Sequence, residues 1–163
     1  MADLLGADPA DGRRRGKDRR AHQAGGELTP PSAWPTAAVL AAYGADGQIV
    51  ASPVWFRVVH EHIEVVVADG DPKLTALRRD SRCLFLAFDT APPFAGMQVR
   101  AQATLVSRGV RAARAEIGAR YLGEESGRRW AAERTRPGVI VRLPRSAART
   151  WDLGAMLAPY LGE

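Results

Sequence analysis

Cysteine and long apolar runs are both scarce in this chain. Of its 163 residues only Cys83 is a cysteine, so no disulfide can form within the chain. No apolar run reaches the roughly 20 residues that a helix needs to span a bilayer. The opening residues also lack the apolar segment of a secretory signal. We therefore expect a cytoplasmic protein without a membrane partner.

Several motifs that carry catalysis or metal binding are missing as well. The chain has no GxxxxGK[ST] loop, no GxSxG turn and no HExxH helix. His60 and His62 flank a predicted turn without a third ligand nearby, so we expect no metal site. Cys83 lies in an apolar segment with no neighbouring histidine and is expected to be a small buried hydrophobe rather than a nucleophile.

Positive charge is concentrated near the start of the chain, whose formal net charge is +5. Six basic residues fall close together: Arg13, Arg14, Arg15, Lys17, Arg19 and Arg20. With almost no apolar side chains, this stretch cannot offset its ordering entropy, so residues 1–26 are predicted to be a disordered basic tail. A nucleic-acid-binding arm and a solvated tail both fit this composition. No aromatic residue alternates with the arginines, and we expect no nucleic-acid partner.

Residues 27–163 are expected to form one folded domain that is mainly β. Apolar or alternating segments bounded by turn residues predict six strands, at 37–43, 49–59, 63–68, 83–88, 97–106 and 139–143, with 151–153 as a possible extension after a bend at Pro144. The 83–88 segment is apolar almost throughout, which predicts burial of both its faces. Pro53 cannot donate to a ladder, so its strand carries a bulge or lies at a sheet edge.

Two segments have helical spacing. Residues 73–80 predict a short helix, and residues 110–133 predict a longer helical segment that Gly123 divides. Arg114 falls off the apolar stripe of the longer segment. One late helical insertion among many short strands favours an antiparallel barrel of the α+β class over an alternating parallel fold.

Three segments together resemble the pyridoxamine 5'-phosphate oxidase-like split β-barrel superfamily. They are the hairpin Ala45-Asp46-Gly47 leading into Ser52–Phe56, the loop ending in Lys73 with the following Leu77–Arg82, and the strands flanking Pro92-Pro93. The match is closest to the branch that uses the deazaflavin F420 or FMN. The chain departs from the family pattern at Ala101, which replaces a usual glycine, and at Asp69 and Asp71, which add negative charge. The resemblance implies a homodimeric, six-stranded split barrel.

The same resemblance implies the residues that bind an F420 or FMN cofactor. The resemblance implies that the ring is bound by the strand residues Ser52, Pro53, Val54 and Trp55, with Val66 and Val67 beside them. It assigns binding of the cofactor phosphate to Lys73 and, more loosely, to Arg79. It places Trp151 near the cofactor of the partner subunit. Simpler roles remain open for some of them. Lys73 and Arg79 are also compatible with solvated helix positions, Trp55 with a core tryptophan, and Trp151 with packing between subunits.

The implied function is that of an oxidoreductase, although no side chain is assigned a catalytic role. A bound deazaflavin would exchange hydride with a small conjugated or quinone-like substrate, because the cofactor supplies the chemistry and the protein positions the acceptor. One alternative is an FMN-dependent oxidase or reductase of the pyridoxamine-phosphate-oxidase kind. Another is a non-catalytic protein that binds flavin or haem.

Overall fold

Two antiparallel sheets dominate the computed structural model, which describes residues 38–92 and 94–161. The five-stranded sheet contains β1 (Ala38–Tyr43), β2 (Ile49–Val54), β5 (Arg82–Phe88), β6 (Gly96–Gln102) and β9 (Ala148–Trp151), in the order β2-β1-β5-β6-β9. The four-stranded sheet contains β3 (Arg57–Val59), β4 (His62–Ala68), β7 (Thr104–Val106) and β8 (Gly138–Pro144), in the order β3-β4-β8-β7. The predicted tail, residues 1–26, lies outside the described residues.

The described residues also form four α-helices: α1 (Pro72–Arg79), α2 (Val110–Leu122), α3 (Glu124–Glu133) and α4 (Gly154–Leu157). Helices α2 and α3 form a hairpin inserted between β7 and β8. The break predicted at Gly123 is confirmed, and its φ of +81° explains why glycine stands there. Gly118 and Gly127 let the two helices touch, since a Cβ on Gly127 would lie 2.2 Å from the Ala119 nitrogen.

The α+β class and antiparallel pairing agree with the sequence, but the expected count of six strands is too low, because the described residues form nine. The segment 49–59 supplies one edge strand of each sheet, β2 and β3, and passes from one sheet to the other at Trp55–Phe56. The segment 97–106 likewise divides at Ala103 between β6 and β7. Residues 148–151 form a separate strand after a 3-10 turn at Arg145–Ala147. The two sheets remain separate rather than closing into one barrel.

Two finer predictions about the strands have different outcomes. Pro53 does lie on an edge strand, because β1 is the one described strand that pairs with β2. The expectation that β5 is buried on both faces is wrong: Cys83 and Phe85 are buried, whereas Leu84 is half-buried and Phe88 is exposed. The strand therefore alternates between a core face and a more accessible face, which the uninterrupted apolar sequence does not reveal.

The core lies between the facing sheets. Phe85 of β5 meets Phe56 edge-on, with ring centroids 5.1 Å apart, and both side chains are almost fully buried. Leu40, Ile63 and Leu143 complete the centre, each with no exposed surface. Full burial of one such side chain stabilises the fold by roughly 1.5–3 kcal/mol. The core thus fixes the separation of the two sheets and, with it, the position of their open edges.

Among the residues that the structure describes, no helix has both the length and the apolar character required to cross a membrane.

Candidate functional site

A slot opens where the chain passes from one sheet to the other. Strand β2 is the outer strand of its sheet, and β3 covers β4 only from His62 to Glu64. Within the described part of the chain, the second half of β4, Val65–Ala68, therefore has β8 on one side and no strand on the other. Backbone groups at these two edges are available to hydrogen-bond a ligand, because ladder partners do not occupy them.

This slot widens into a cavity of about 650 Å³. Seven of the residues implied by the family resemblance line it together: Ser52, Pro53, Val54, Trp55, Val66, Val67 and Lys73. They reach the cavity from the end of β2, the open half of β4 and the first turn of α1. A volume of several hundred Å³ is typical of sites for small molecules and cofactors.

Lys73 lies at one end of the cavity and is held by two partners. Its Nζ donates to Ser52 Oγ at 2.6 Å and to Asp71 Oδ2 at 2.9 Å. Only 6% of the residue is exposed, so it is not the solvated first-turn lysine that the sequence also allowed. Asp71 in addition caps α1 by accepting from the Lys73 backbone nitrogen at 2.8 Å. The ammonium group is therefore already paired with a carboxylate.

Aromatic rings form a second wall. Trp55 stacks on Tyr121 with ring centroids 4.7 Å apart and an interplanar angle of 5°. Trp130 of α3 lies against Trp55 at 5.1 Å, and both tryptophans line the cavity. The hydroxyl of Tyr121 accepts from the Phe56 backbone nitrogen at 3.3 Å, and burial raises the pKa of that hydroxyl. The wall offers flat surfaces suited to a planar conjugated molecule.

Arginines from the helical hairpin and the loop after it line the end of the cavity next to residues 133–136. Arg114 of α2 is 9% exposed and donates from Nη1 to the Arg134 carbonyl oxygen at 2.7 Å. Arg134 places its guanidinium over the Trp130 ring, 5.2 Å from the centroid. Arg136 and Glu133 also line this end, and both are exposed. Cationic side chains thus outnumber acidic ones around the cavity.

A charge network joins the hairpin to the four-stranded sheet. Glu64 of β4 is 1% exposed and accepts from Arg57 at 2.5 Å and from Arg142 at 2.8 Å. Burial alone raises the pKa of Glu64, but hydrogen bonds from the two arginines outweigh it, and the net effect is a lowered pKa. Arg57 also donates to Glu116 of α2. The network therefore ties α2 to the sheet that forms the cavity floor.

Two of the implied site residues lie away from the cavity. Arg79 donates to the carbonyl oxygens of Tyr43, Gly44 and Ala45, at the turn after β1. Trp151 lies on β9, at the opposite edge of the five-stranded sheet from β2. Its indole packs against Gly96, and its Nε1 donates to the Phe94 carbonyl oxygen at 2.8 Å.

Sequence reasoning did not identify the residues that the hairpin contributes. Arg114, Trp130 and Arg134 enter the cavity because α2 packs against β3, β4 and β8, and α3 packs along α2. Trp130 lies on α3 and Arg134 directly follows that helix, so no single helical stripe in the sequence joins the three residues. No local sequence pattern indicated which part of the sheets the helical hairpin would cover.

The fold is similar to those of several solved structures. Rv2991, a conserved hypothetical protein from Mycobacterium tuberculosis, matches with a TM-score of 0.68 and 23% identity over 81% of this chain and 86% of that one. An F420 reductase matches with a TM-score of 0.56 and 17% identity over 71% and 90%. The heme storage protein HutZ from Vibrio cholerae matches with a TM-score of 0.55 and 16% identity over 70% and 84%.

These similarities, each at less than 25% identity, concern the fold alone: the chain shares the split-barrel-like arrangement of these solved structures. No protein-family model and no curated protein matches the sequence.

Proposed function

We propose that the chain is an oxidoreductase that binds the deazaflavin F420 in the cavity and transfers hydride between it and a small conjugated or quinone-like molecule. The observation that carries the proposal is the meeting of Ser52–Trp55, Val66, Val67 and Lys73 around one slot. The same residues follow independently from the family resemblance. The similarity in fold to an F420 reductase also supports it.

Each part of the cavity suits a part of such a cofactor. The backbone at the two open edges supplies donors and acceptors for the polar edge of the ring system. Lys73 and the first turn of α1 supply positive charge for a phosphate. The Trp55–Trp130 wall can hold a flat acceptor over the ring and exclude water. Bound deazaflavin supplies the hydride chemistry, and the chain positions both reactants.

An FMN-dependent oxidase or reductase is the nearest alternative, because the same slot and cation suit a flavin phosphate. Haem binding is a second alternative, favoured by the similarity in fold to a heme storage protein. Among the described residues, however, the cavity lining includes no histidine, cysteine, methionine or tyrosine to ligate haem iron. Because the lining offers no side chain of the kinds that ligate haem iron, it favours a flavin-type cofactor over haem.

Binding and turnover with matched variants test the proposal. Purified protein is titrated with F420, FMN and haem by calorimetry, and oxidation of reduced F420 by a quinone is then followed by absorbance. Val66→Trp fills the slot and should abolish both F420 binding and turnover. Thr104→Trp, on an exposed position of β7 outside the cavity, should leave both unchanged. Failure of the wild-type protein to bind F420, or equal activity of the Val66→Trp variant, would refute the proposal.

We also propose that the functional unit is a homodimer. A single chain leaves Met156 61% exposed and Tyr160 83% exposed near the end of β9. A second copy would cover apolar surface of this kind and could bring Trp151 of one subunit to the cavity of the other. Light scattering should give twice the chain mass at micromolar concentration. A monomer that still binds cofactor would contradict this assembly.

A further inference from the structure

Arg114 is a buried cation without an acidic partner. It is 9% exposed and lines the cavity, yet among the described residues no carboxylate forms an ion pair with it. Its contact with the Arg134 carbonyl satisfies one of five N–H groups. Lys73 and Arg57 differ, since each is paired with a carboxylate. Among the described residues, no fully buried side-chain nitrogen lacks a hydrogen-bond partner, so the remaining N–H groups of Arg114 are accessible from the cavity, where an anion from outside the chain can bind them.

The backbone around Arg114 leaves room for its guanidinium. Gly138, the first residue of β8, has no side chain on the surface that Arg114 covers. A Cβ there would lie 3.1 Å from Arg114 Nη2 and 2.5 Å from the Val67 carbonyl oxygen. Glycine therefore allows the guanidinium to lie directly on the strand backbone beside the slot. The position of Arg114 is fixed by packing and a hydrogen bond rather than by an ion pair.

Arg134 and Arg136 add to the positive charge at this end of the cavity. Neither forms an ion pair with a described carboxylate, and Arg134 lies over the face of Trp130. Glu133 is the acidic side chain at the same end. Three guanidinium groups and one carboxylate give this part of the cavity a net positive charge, which attracts an anionic ligand.

We propose that Arg114, with Arg134 and Arg136, forms an anion subsite distinct from Lys73. It takes the carboxylate or phosphate of a flat conjugated ligand whose ring lies along Trp55 and Trp130. The inference rests on the proposed function in placing that ligand in the same cavity. Either the substrate or the side chain of the cofactor can supply such a group, and the recognition chemistry is the same for both.

Two probe pairs that differ in charge test the subsite by calorimetry on the full-length protein. The first pair is 2-naphthoate and neutral 2-naphthamide, which represent a substrate. The second is FMN and riboflavin, which represent a cofactor. We expect the wild-type protein to prefer the anion of at least one pair by about ten- to a hundredfold.

Variants of Arg114 identify the source of the preference. Arg114→Gln should abolish it, whereas Arg114→Lys should retain most of it. Arg111→Gln, at an exposed position on α2 outside the cavity, is the matched control and should change nothing. Loss of preference for naphthoate assigns the subsite to substrate, and loss for FMN assigns it to cofactor. An unchanged preference in both pairs, or no preference in the wild-type protein, would overturn the subsite.

Two further measurements keep the test independent of folding and of the proposed function. Since no described carboxylate pairs with Arg114 and glutamine can still donate to the Arg134 carbonyl oxygen, Arg114→Gln should unfold near the temperature of the apo wild type, and it should lose stabilisation by 2-naphthoate. Arg134→Gln changes an exposed side chain and should reduce the same preference without affecting folding. The naphthoate pair requires no cofactor, so failure to bind F420 or FMN would refute the proposed function while leaving the subsite testable.

Discussion

The carboxylate of Asp71 accepts hydrogen bonds from both the backbone and the side chain of Lys73. Its Oδ1 accepts from the Lys73 backbone nitrogen at 2.8 Å, and its Oδ2 accepts from Lys73 Nζ at 2.9 Å. The carboxylate thus caps α1 and neutralises the cation to which the resemblance assigns a phosphate. An incoming phosphate must compete with Asp71 for the ammonium group.

Asp71→Asn separates these two roles. Asparagine caps a helix about as well as aspartate, but it leaves the buried Lys73 ammonium without its carboxylate, so the free energy of unfolding of the apo protein should fall by about 1–3 kcal/mol. The freed ammonium should then bind phosphate more strongly, tightening FMN affinity about tenfold and leaving riboflavin affinity unchanged. Calorimetric titration of both ligands measures the difference. Unchanged or weaker FMN binding would show that the phosphate lies elsewhere.

Lys73→Ala should weaken FMN binding by roughly ten- to a hundredfold, because it removes a charge-assisted contact. Since the residue is buried, the variant should also lower the free energy of unfolding, by about 1–3 kcal/mol. Lys73→Arg keeps the charge and should recover part of the affinity. Wild-type affinity in Lys73→Ala, measured by the same titration, would remove Lys73 from the site.

Arg79→Ala should reduce stability more than cofactor affinity. Its guanidinium bonds three carbonyl oxygens at the turn after β1, so its loss should cost about 1–2 kcal/mol in chemical denaturation. Arg78→Ala is the matched control: that arginine forms an exposed ion pair with Asp69, for which less than about 1 kcal/mol is expected. A selective loss of FMN affinity in Arg79→Ala would instead place Arg79 at the cofactor.

Glu64→Gln should destabilise the protein by about 2–4 kcal/mol at pH 7, because it removes the buried carboxylate that pairs with Arg142 and leaves Arg57 with only the exposed Glu116. Folding lowers the pKa of Glu64, so its charge stabilises the native state above the unfolded pKa, near 4.5, and that stabilisation is lost as the pH falls. Denaturation curves for both proteins should therefore converge below about pH 4.5. A pH-independent difference would contradict an electrostatic origin.

Gly127→Ala should disturb the hairpin. The added methyl group would meet the backbone of α2 at Gly118 and Ala119, which cannot move aside as a side chain can. Overpacking of this kind typically costs about 1–3 kcal/mol. Tryptophan fluorescence should also change, because Trp130 follows on the same helix. Arg128→Ala, at the adjacent exposed position, should show neither effect, and a wild-type melting temperature in Gly127→Ala would contradict the close contact.

Local patterns predicted the elements well but not how the segments divide between sheets. Gly123 and the alternation in 97–102 are visible in sequence because backbone freedom and period-two burial are local properties. The change of sheet at Trp55–Phe56 is not visible, since the residues on either side continue the same apolar pattern. It depends instead on how the two sheets pack around Phe56 and Phe85.

The candidate site shows the same division. Lys73 is identified through the family resemblance, since its place after a loop and at the start of a short helix fits a solvated lysine equally well. The burial of Arg114 could not be predicted, because helical periodicity gives the direction of a side chain but not the surface that covers it. In the fold, the residues after α3 cross over Arg114, and the Arg134 carbonyl accepts its hydrogen bond.

The two sides of the cavity come from different kinds of backbone. Ser52–Trp55 and Val66–Ala68 belong to strands whose register is fixed by the core, whereas Trp130 and Arg134 belong to a hairpin that enters and leaves the four-stranded sheet through β7 and β8. Substitutions in the hairpin can alter one side while the strands keep their pairing. The architecture is therefore modular: ligand preference can diverge through residues 110–136 while the frame that surrounds the slot is inherited unchanged.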